Sequence, residues 1–95
     1  MHKQYFVYLM ANPHDTVIYA GVSSDLHKRT WQHKEKAMKG FTERYNVKKL
    51  VYYVVFDDPI NGIIREKQIK AGSREKKVRL IESINPDWKD LSETL

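Results

Sequence analysis

Arg29 and His33 stand four positions apart in a stretch, Leu26 to Met38, that reads as a helix. That spacing sets a guanidinium and an imidazole one turn apart on one face. The face starts at Leu26, the natural core contact, and continues through Arg29, Thr30, His33 and Ala37. A helix of a small domain normally gives such a stripe to apolar residues. An unpaired buried charge is costly, so a cation at the edge of the buried side calls for an internal carboxylate or a ligand. Other reactive groups are ruled out at once. The chain has no cysteine, hence no disulfide, no thiolate zinc site and no cysteine nucleophile.

The charge around these residues narrows the partner. The 95 residues carry 17 Lys and Arg against 12 Asp and Glu, a net +5. Residues 23–50 hold eight basic and three acidic side chains, and residues 63–84 hold seven and three. Both segments read as largely helical. On one side of the molecule they would make a basic surface that attracts polyanions, nucleic acid first among them. Solvated lysine-rich helix faces and acidic protein partners explain the same charge. The longest apolar runs, residues 5–11 and 50–56, fall far short of the ~20 needed to span a bilayer, so no membrane association is expected. The first residues lack a signal-peptide layout, which together with the missing cysteines points to the cytoplasm.

The elements that must position the helix follow from local pattern. Tyr5 to Met10 is aromatic and β-branched and reads as a strand. Asn12-Pro13-His14-Asp15 supplies turn formers, and Val17 to Val22 reads as the returning strand of an antiparallel hairpin. Ser23, Ser24 and Asp25 are helix caps, Gly40 a helix terminator, and Phe41 to Lys49 a polar, partly irregular connection. Leu50 to Phe56 is apolar throughout, which predicts a strand buried on both faces at the centre of the sheet. Pro59 suits a first helical turn after Asp57-Asp58, with Ile60, Ile63, Ile64 and Ala71 at helical spacing. Gly72 breaks that helix. Ser73 caps a third, to Ile84, with Val78, Ile81 and Ile84 inward and Asn85-Pro86 ending it. Trp88 and Leu91 anchor the tail. The expected fold is α+β, a three-stranded antiparallel sheet flanked by helices in the order β-β-α-β-α-α, in one domain over residues 1–95.

On this framework the chain resembles the GIY-YIG nuclease family. The resemblance is carried by Phe6-Val7-Tyr8, then Tyr19-Ala20-Gly21 about ten residues on, then Asp25 to Arg29 and His33. Arg65 to Lys70 is similar to the segment bearing the family's metal-binding glutamate, and Ile84 to Leu91 to the closing segment of small stand-alone members. The first glycine of the name is Phe6 here, and its isoleucines are Val7 and Ala20. One branch has a lysine after the second triplet; here it is Val22, so that lysine's role does not transfer.

The resemblance implies a metal-dependent endonuclease that hydrolyses phosphodiester bonds in DNA or structured nucleic acid, with repair or recombination as its setting. It implies Glu66 as the ligand of Mg²⁺ or Mn²⁺; alone, Glu66 reads as a solvated partner of Lys70 four residues on. It makes Tyr8 the candidate base, although a free phenol near pKa ~10 needs its pKa lowered for that. Tyr19 orients Tyr8 or the water, Arg29 binds the scissile phosphate, and His33 contacts that phosphate or assists proton transfer. Gly21 allows a tight turn between strand and helix. Arg65, Lys67 and Lys70 hold substrate phosphates, and Asn85 fixes local geometry or contacts phosphate. Asp25, Asp57 and Asp58 are explained by helix capping. A non-catalytic nucleic-acid-binding module is the alternative reading, and a small basic protein-interaction domain a third; a monomer is assumed.

Overall fold

The computed structural model describes residues 3–35 and 40–95. Two strands, β1 (Tyr5–Ala11) and β2 (Ile18–Ser23), form the hairpin, and α1 (Leu26–Lys34) follows directly. A one-turn helix α2 (Phe41–Arg44) lies in the connection read as irregular, ahead of β3 (Lys49–Phe56). Helices α3 (Pro59–Ala71) and α4 (Arg74–Ile84) come next, and a 3-10 turn at Leu91–Thr94 closes the tail. The fold is therefore α+β with the expected element order, supplemented by α2.

The helix starts lie where local chemistry put them. Asp25 accepts from the Lys28 amide, Asp58 from the Asn61 amide at 2.7 Å, and Ser73 from the Lys76 amide. Each cap satisfies an amide that the first turn leaves without a partner. The ends of α3 at Gly72 and α4 at Asn85 are also where they were expected, and that of α1 is not. α1 stops at Lys34, with Glu35 as its cap, short of the expected Met38. Positions 36–38 of that expectation lie outside the described residues. Gly40 does not end α1; it precedes α2 with φ +98°, a conformation that favours glycine.

The sheet order is β2-β1-β3, all antiparallel, so the central strand is β1 and not β3. The unbroken apolar run of β3 has another cause. Between Leu9↔Tyr52 and Met10↔Leu50 the register shifts, leaving Val51 as an extra residue in a bulge. The bulge breaks the period of two, so the run is not the signature of burial on both faces, and Val55 is 42% exposed. Val7, Leu9 and Ala11 of β1 face one core with Val51, Ile69 and Ile81, while Tyr8 and Met10 face a second with Leu26, Val47 and Leu50. α3 packs over β1 and β2, and α4 over β3.

α3 is rotated from its expected setting. Its buried residues are Gly62, Glu66 and Ile69, whereas Ile60, Ile63 and Ile64 face outward. Gly62 permits this: a Cβ there would already touch Tyr5, Val22 and Phe56 at 3.6–3.9 Å, so the helix backbone rides close on the sheet. Ile84 is likewise exposed, leaving Ile81 as the buried anchor of α4. After α4 the tail runs along the outer edge of β3. The Asn85 amide donates to the Val51 carbonyl at 3.1 Å, and Asp90 accepts from the Leu50 amide at 3.2 Å. These bonds occupy backbone groups that an edge strand otherwise leaves open.

Candidate active site

The site is assembled from three layers. Tyr8, on the central strand, is fully buried, and its cross-strand neighbour is Gly21. A Cβ at Gly21 would lie 2.5 Å from the Tyr8 hydroxyl and 2.6 Å from Cζ. Gly21 thus makes room for the phenol to cross β2 toward its outer edge. The expected tight turn is absent, because β2 continues to Ser23. Tyr19, two residues earlier on β2, places its ring 6.4 Å from that of Tyr8.

α1 approaches the same face of the sheet. Its buried stripe is Leu26, Thr30 and His33, with Arg29 half-buried beside it. The His33 ring packs edge-on to Tyr8 at 5.9 Å and against Tyr19 at 5.4 Å. Its Nε2 makes a long 3.4 Å hydrogen bond with the Tyr8 hydroxyl. Nδ1 is the one buried side-chain polar atom without a partner among the described residues.

α3 reaches the cluster from the opposite face, around the outer edge of β2. Glu66 is 8% exposed and pairs with Lys70 at 3.0 Å. The Lys70 ammonium in turn lies 5.9 Å from the centre of the Tyr19 ring. Ile60, Ile63 and Ile64 look outward because the sheet-facing stripe carries Glu66 beside Ile69.

Burial dominates the electrostatics. It pushes the Tyr8 phenol up to about 12, against the pull of the Arg29 cation, with smaller upward effects from Tyr19 and Glu66. Desolvation likewise holds His33 down to about 4. The Val47 backbone offsets part of that without completing a well-formed bond to Nδ1, and the Arg29 charge adds to the lowering. At neutral pH the pair is therefore a protonated phenol against a neutral imidazole.

Not every expected residue joins the cluster. Arg65 lies on the other flank of α3, where it lines a cavity with Lys76, Lys77 and Leu80 between α3 and α4. Lys67 is exposed on the outer side of α3. Asn85 is buried, and both donors of its amide are used inside the fold, on the Val51 and Lys89 carbonyls. Two aromatic residues escaped the sequence reading. Phe41 stacks beside Tyr19 with ring centres 6.4 Å apart, and Tyr45 lies 4.8 Å from Phe41. Their spacing of four was the available signal, obscured by the polar residues between them.

The sequence model of the GIY-YIG catalytic domain matches residues 4–79, which contain every member of this cluster. The chain belongs to the GIY-YIG family. That places it in a family of nucleases, which act on nucleic acids and generally use divalent metal ions. Its relatives are small. It is 34% identical over 67 residues to a UPF0213 protein of Staphylococcus saprophyticus, covering 70% of this chain and 82% of that one. A UPF0213 protein of Haloquadratum walsbyi is 29% identical, over 86% of this chain and 91% of its own. The solution structure of the UPF0213 protein BH0048 from Bacillus halodurans superposes with a TM-score of 0.59. It covers 95% of each chain at 20% identity, a likeness of fold. Among the described residues no helix is long and apolar enough to cross a membrane.

Proposed function

We propose that this chain is a metal-dependent endonuclease that hydrolyses phosphodiester bonds in DNA or structured nucleic acid. The observation that carries the reading is the meeting of Tyr8, Tyr19, Arg29, His33 and Glu66 at one sheet edge, from elements on both faces. Such convergence is unnecessary for packing, and it costs the burial of a carboxylate and an imidazole.

The donor set fits a hard dication. Among the described residues no group of three or more His, Cys, Asp or Glu gathers. Asp25 and Asp58 are committed to helix caps. Glu66 is a carboxylate whose charge acts on Tyr8, and Mg²⁺ or Mn²⁺ often binds through a single carboxylate with waters and substrate phosphates. Glu66 would hold the ion. When bound, it neutralises phosphate charge and lowers the pKa of nearby oxygen acids.

The protein's own groups divide the rest of the work. Arg29 takes the scissile phosphate in its planar fork and offsets the charge that grows in the transition state. Lys70, released from Glu66, is placed to hold an adjacent phosphate. The water oxygen bonds to phosphorus as the P–O bond to the leaving sugar oxygen breaks. Tyr8 passes its own hydroxyl proton to His33 Nε2 while its oxygen takes one from the water. The leaving oxygen takes a proton from solvent, and the imidazolium, disfavoured by burial, releases its own to restore the site. This relay avoids a free phenolate, which burial disfavours. Tyr19 orients the phenol.

The test is nicking of plasmid and branched DNA with Mg²⁺ and then with EDTA, alongside Glu66→Gln. The expected result is Mg²⁺-dependent cutting that Glu66→Gln abolishes while still binding DNA. Cutting that survives in Glu66→Gln and disappears in Asp57→Asn would overturn the assignment. The close Lys70–Glu66 pair favours one second reading, a binding module whose carboxylate is permanently occupied. DNA binding with no cutting under any metal would select it.

A further inference from the structure

We propose that Phe41 and Tyr45 form a stacking subsite for an unpaired base of the bound strand, next to the scissile phosphate. The proposal rests on the nuclease reading of the adjoining site and specifies its substrate: single-stranded nucleic acid, or a branched form with an unpaired base there.

The geometry is a run of rings leading outward from buried Tyr8. Tyr19 lies 6.4 Å from Tyr8, and Phe41 continues the row 6.4 Å from Tyr19 with its plane tilted only 30°. Tyr45 follows 4.8 Å from Phe41. Burial falls along this row: Tyr8 is fully buried, whereas Phe41 is 50% and Tyr45 42% exposed. Packing accounts for the inner rings. It does not account for two adjacent aromatic side chains left half in water.

Charge selects the occupant. The Arg44 guanidinium lies 5.6 Å from the centre of the Tyr45 ring, and Lys70 stands over Tyr19. Against these the one-turn helix sets a single acid, Glu43. Aromatic faces interleaved with cations, beside a site built for phosphate, suit a strand whose bases stack while its backbone is neutralised. A paired base keeps its faces inside the duplex and has none to offer Phe41. An acidic peptide would satisfy the cations but not the flat, half-exposed rings.

The experiment compares three probes in EDTA, where no cutting occurs: single-stranded DNA, its fully abasic counterpart of equal length and charge, and a blunt duplex. Wild type should bind the base-bearing strand about 10-fold or more tightly than the abasic one, the scale of one stacked base. Phe41→Ala should erase that difference, leave duplex binding and the salt dependence unchanged, and keep a wild-type thermal midpoint. Phe41→Tyr should behave as wild type, and Phe41→Leu as Phe41→Ala. Equal affinity of wild type for base-bearing and abasic strands overturns the proposal, as does full activity of Phe41→Leu, which would mark a generic apolar docking surface. The nuclease reading is judged separately by Mg²⁺-dependent nicking. Nicking with no base-dependent binding sinks the stacking subsite alone; base-dependent binding without nicking sinks the nuclease reading and leaves the subsite standing.

Discussion

At the residue scale, the site works by making two ordinary side chains unusual. His33 is held at about 4 against an ordinary 6.5, mainly by desolvation. Between those values the unfolded chain binds a proton that the native state refuses. Stability should therefore be complete above pH 6.5, fall progressively as the pH drops toward 4, and level off below. Urea unfolding from pH 7 to 4 for wild type and His33→Gln tests this: the wild-type midpoint should fall more steeply. Parallel curves would mean that His33 titrates normally. Arg29 has a different task. It is half-buried, acts on Tyr8 and has no carboxylate partner among the described salt bridges. Arg29→Ala should keep the thermal midpoint within a few degrees and lose ~10²–10³ in cleavage rate, the usual effect of removing one preorganised donor. Undiminished cleavage would make Arg29 structural.

At the scale of elements, the hairpin is where backbone geometry and chemistry meet. In Gly21→Ala the new methyl meets the end of a rigid, buried ring at 2.5 Å, so β2 or Tyr8 must shift. The expected cost is ~1–3 kcal/mol of stability, as for other overpacked sites, with loss of the Tyr8–His33 alignment and hence of cleavage. Circular dichroism melts and a rate measurement check both; an unchanged melt would show that the close approach is relaxed at no cost. The same elements show what the sequence made legible. Asp25, Asp58 and Ser73 were readable as caps because a cap is decided within three residues. The strand order was not readable, because the Val51 bulge imitates the pattern of a doubly buried strand. The setting of α3 was hidden for a related reason: hydrophobicity pointed to Ile63 and Ile64, while the close approach at Gly62 and the chemistry at Glu66 turned the helix the other way. Tyr8, Tyr19, Arg29, His33 and Glu66 were legible only as an ordered set. Phe41 and Tyr45 went unread because their role depends on where α2 sits against Tyr19, which spacing alone does not state.

At the scale of the whole molecule, the two sheet edges are treated differently. The β3 edge is strapped by the tail through Asn85 and Asp90. Burial pushes the Asp90 carboxyl up, but Lys34, Ser92 and the Leu50 amide outweigh it and hold it below its ordinary value. Asn85→Ala removes bonds to Val51 and Lys89 together and should cost at least ~1–3 kcal/mol, since both carbonyls lose a partner. It should also free the β3 edge, so sedimentation at rising concentration should reveal more association than for wild type; unchanged sedimentation and wild-type stability would show that the strap is dispensable. No strand pairs with the outer side of β2 among the described residues, and this is the edge around which Glu66 and Lys70 reach toward Tyr19. The open edge and the reactive cluster therefore share one border. A second polypeptide that zipped onto β2 would lie across the entrance to the cluster. On the nuclease reading, self-association by that route would extinguish turnover in proportion to the fraction of chains engaged, which would make catalytic output a built-in gauge of colloidal state.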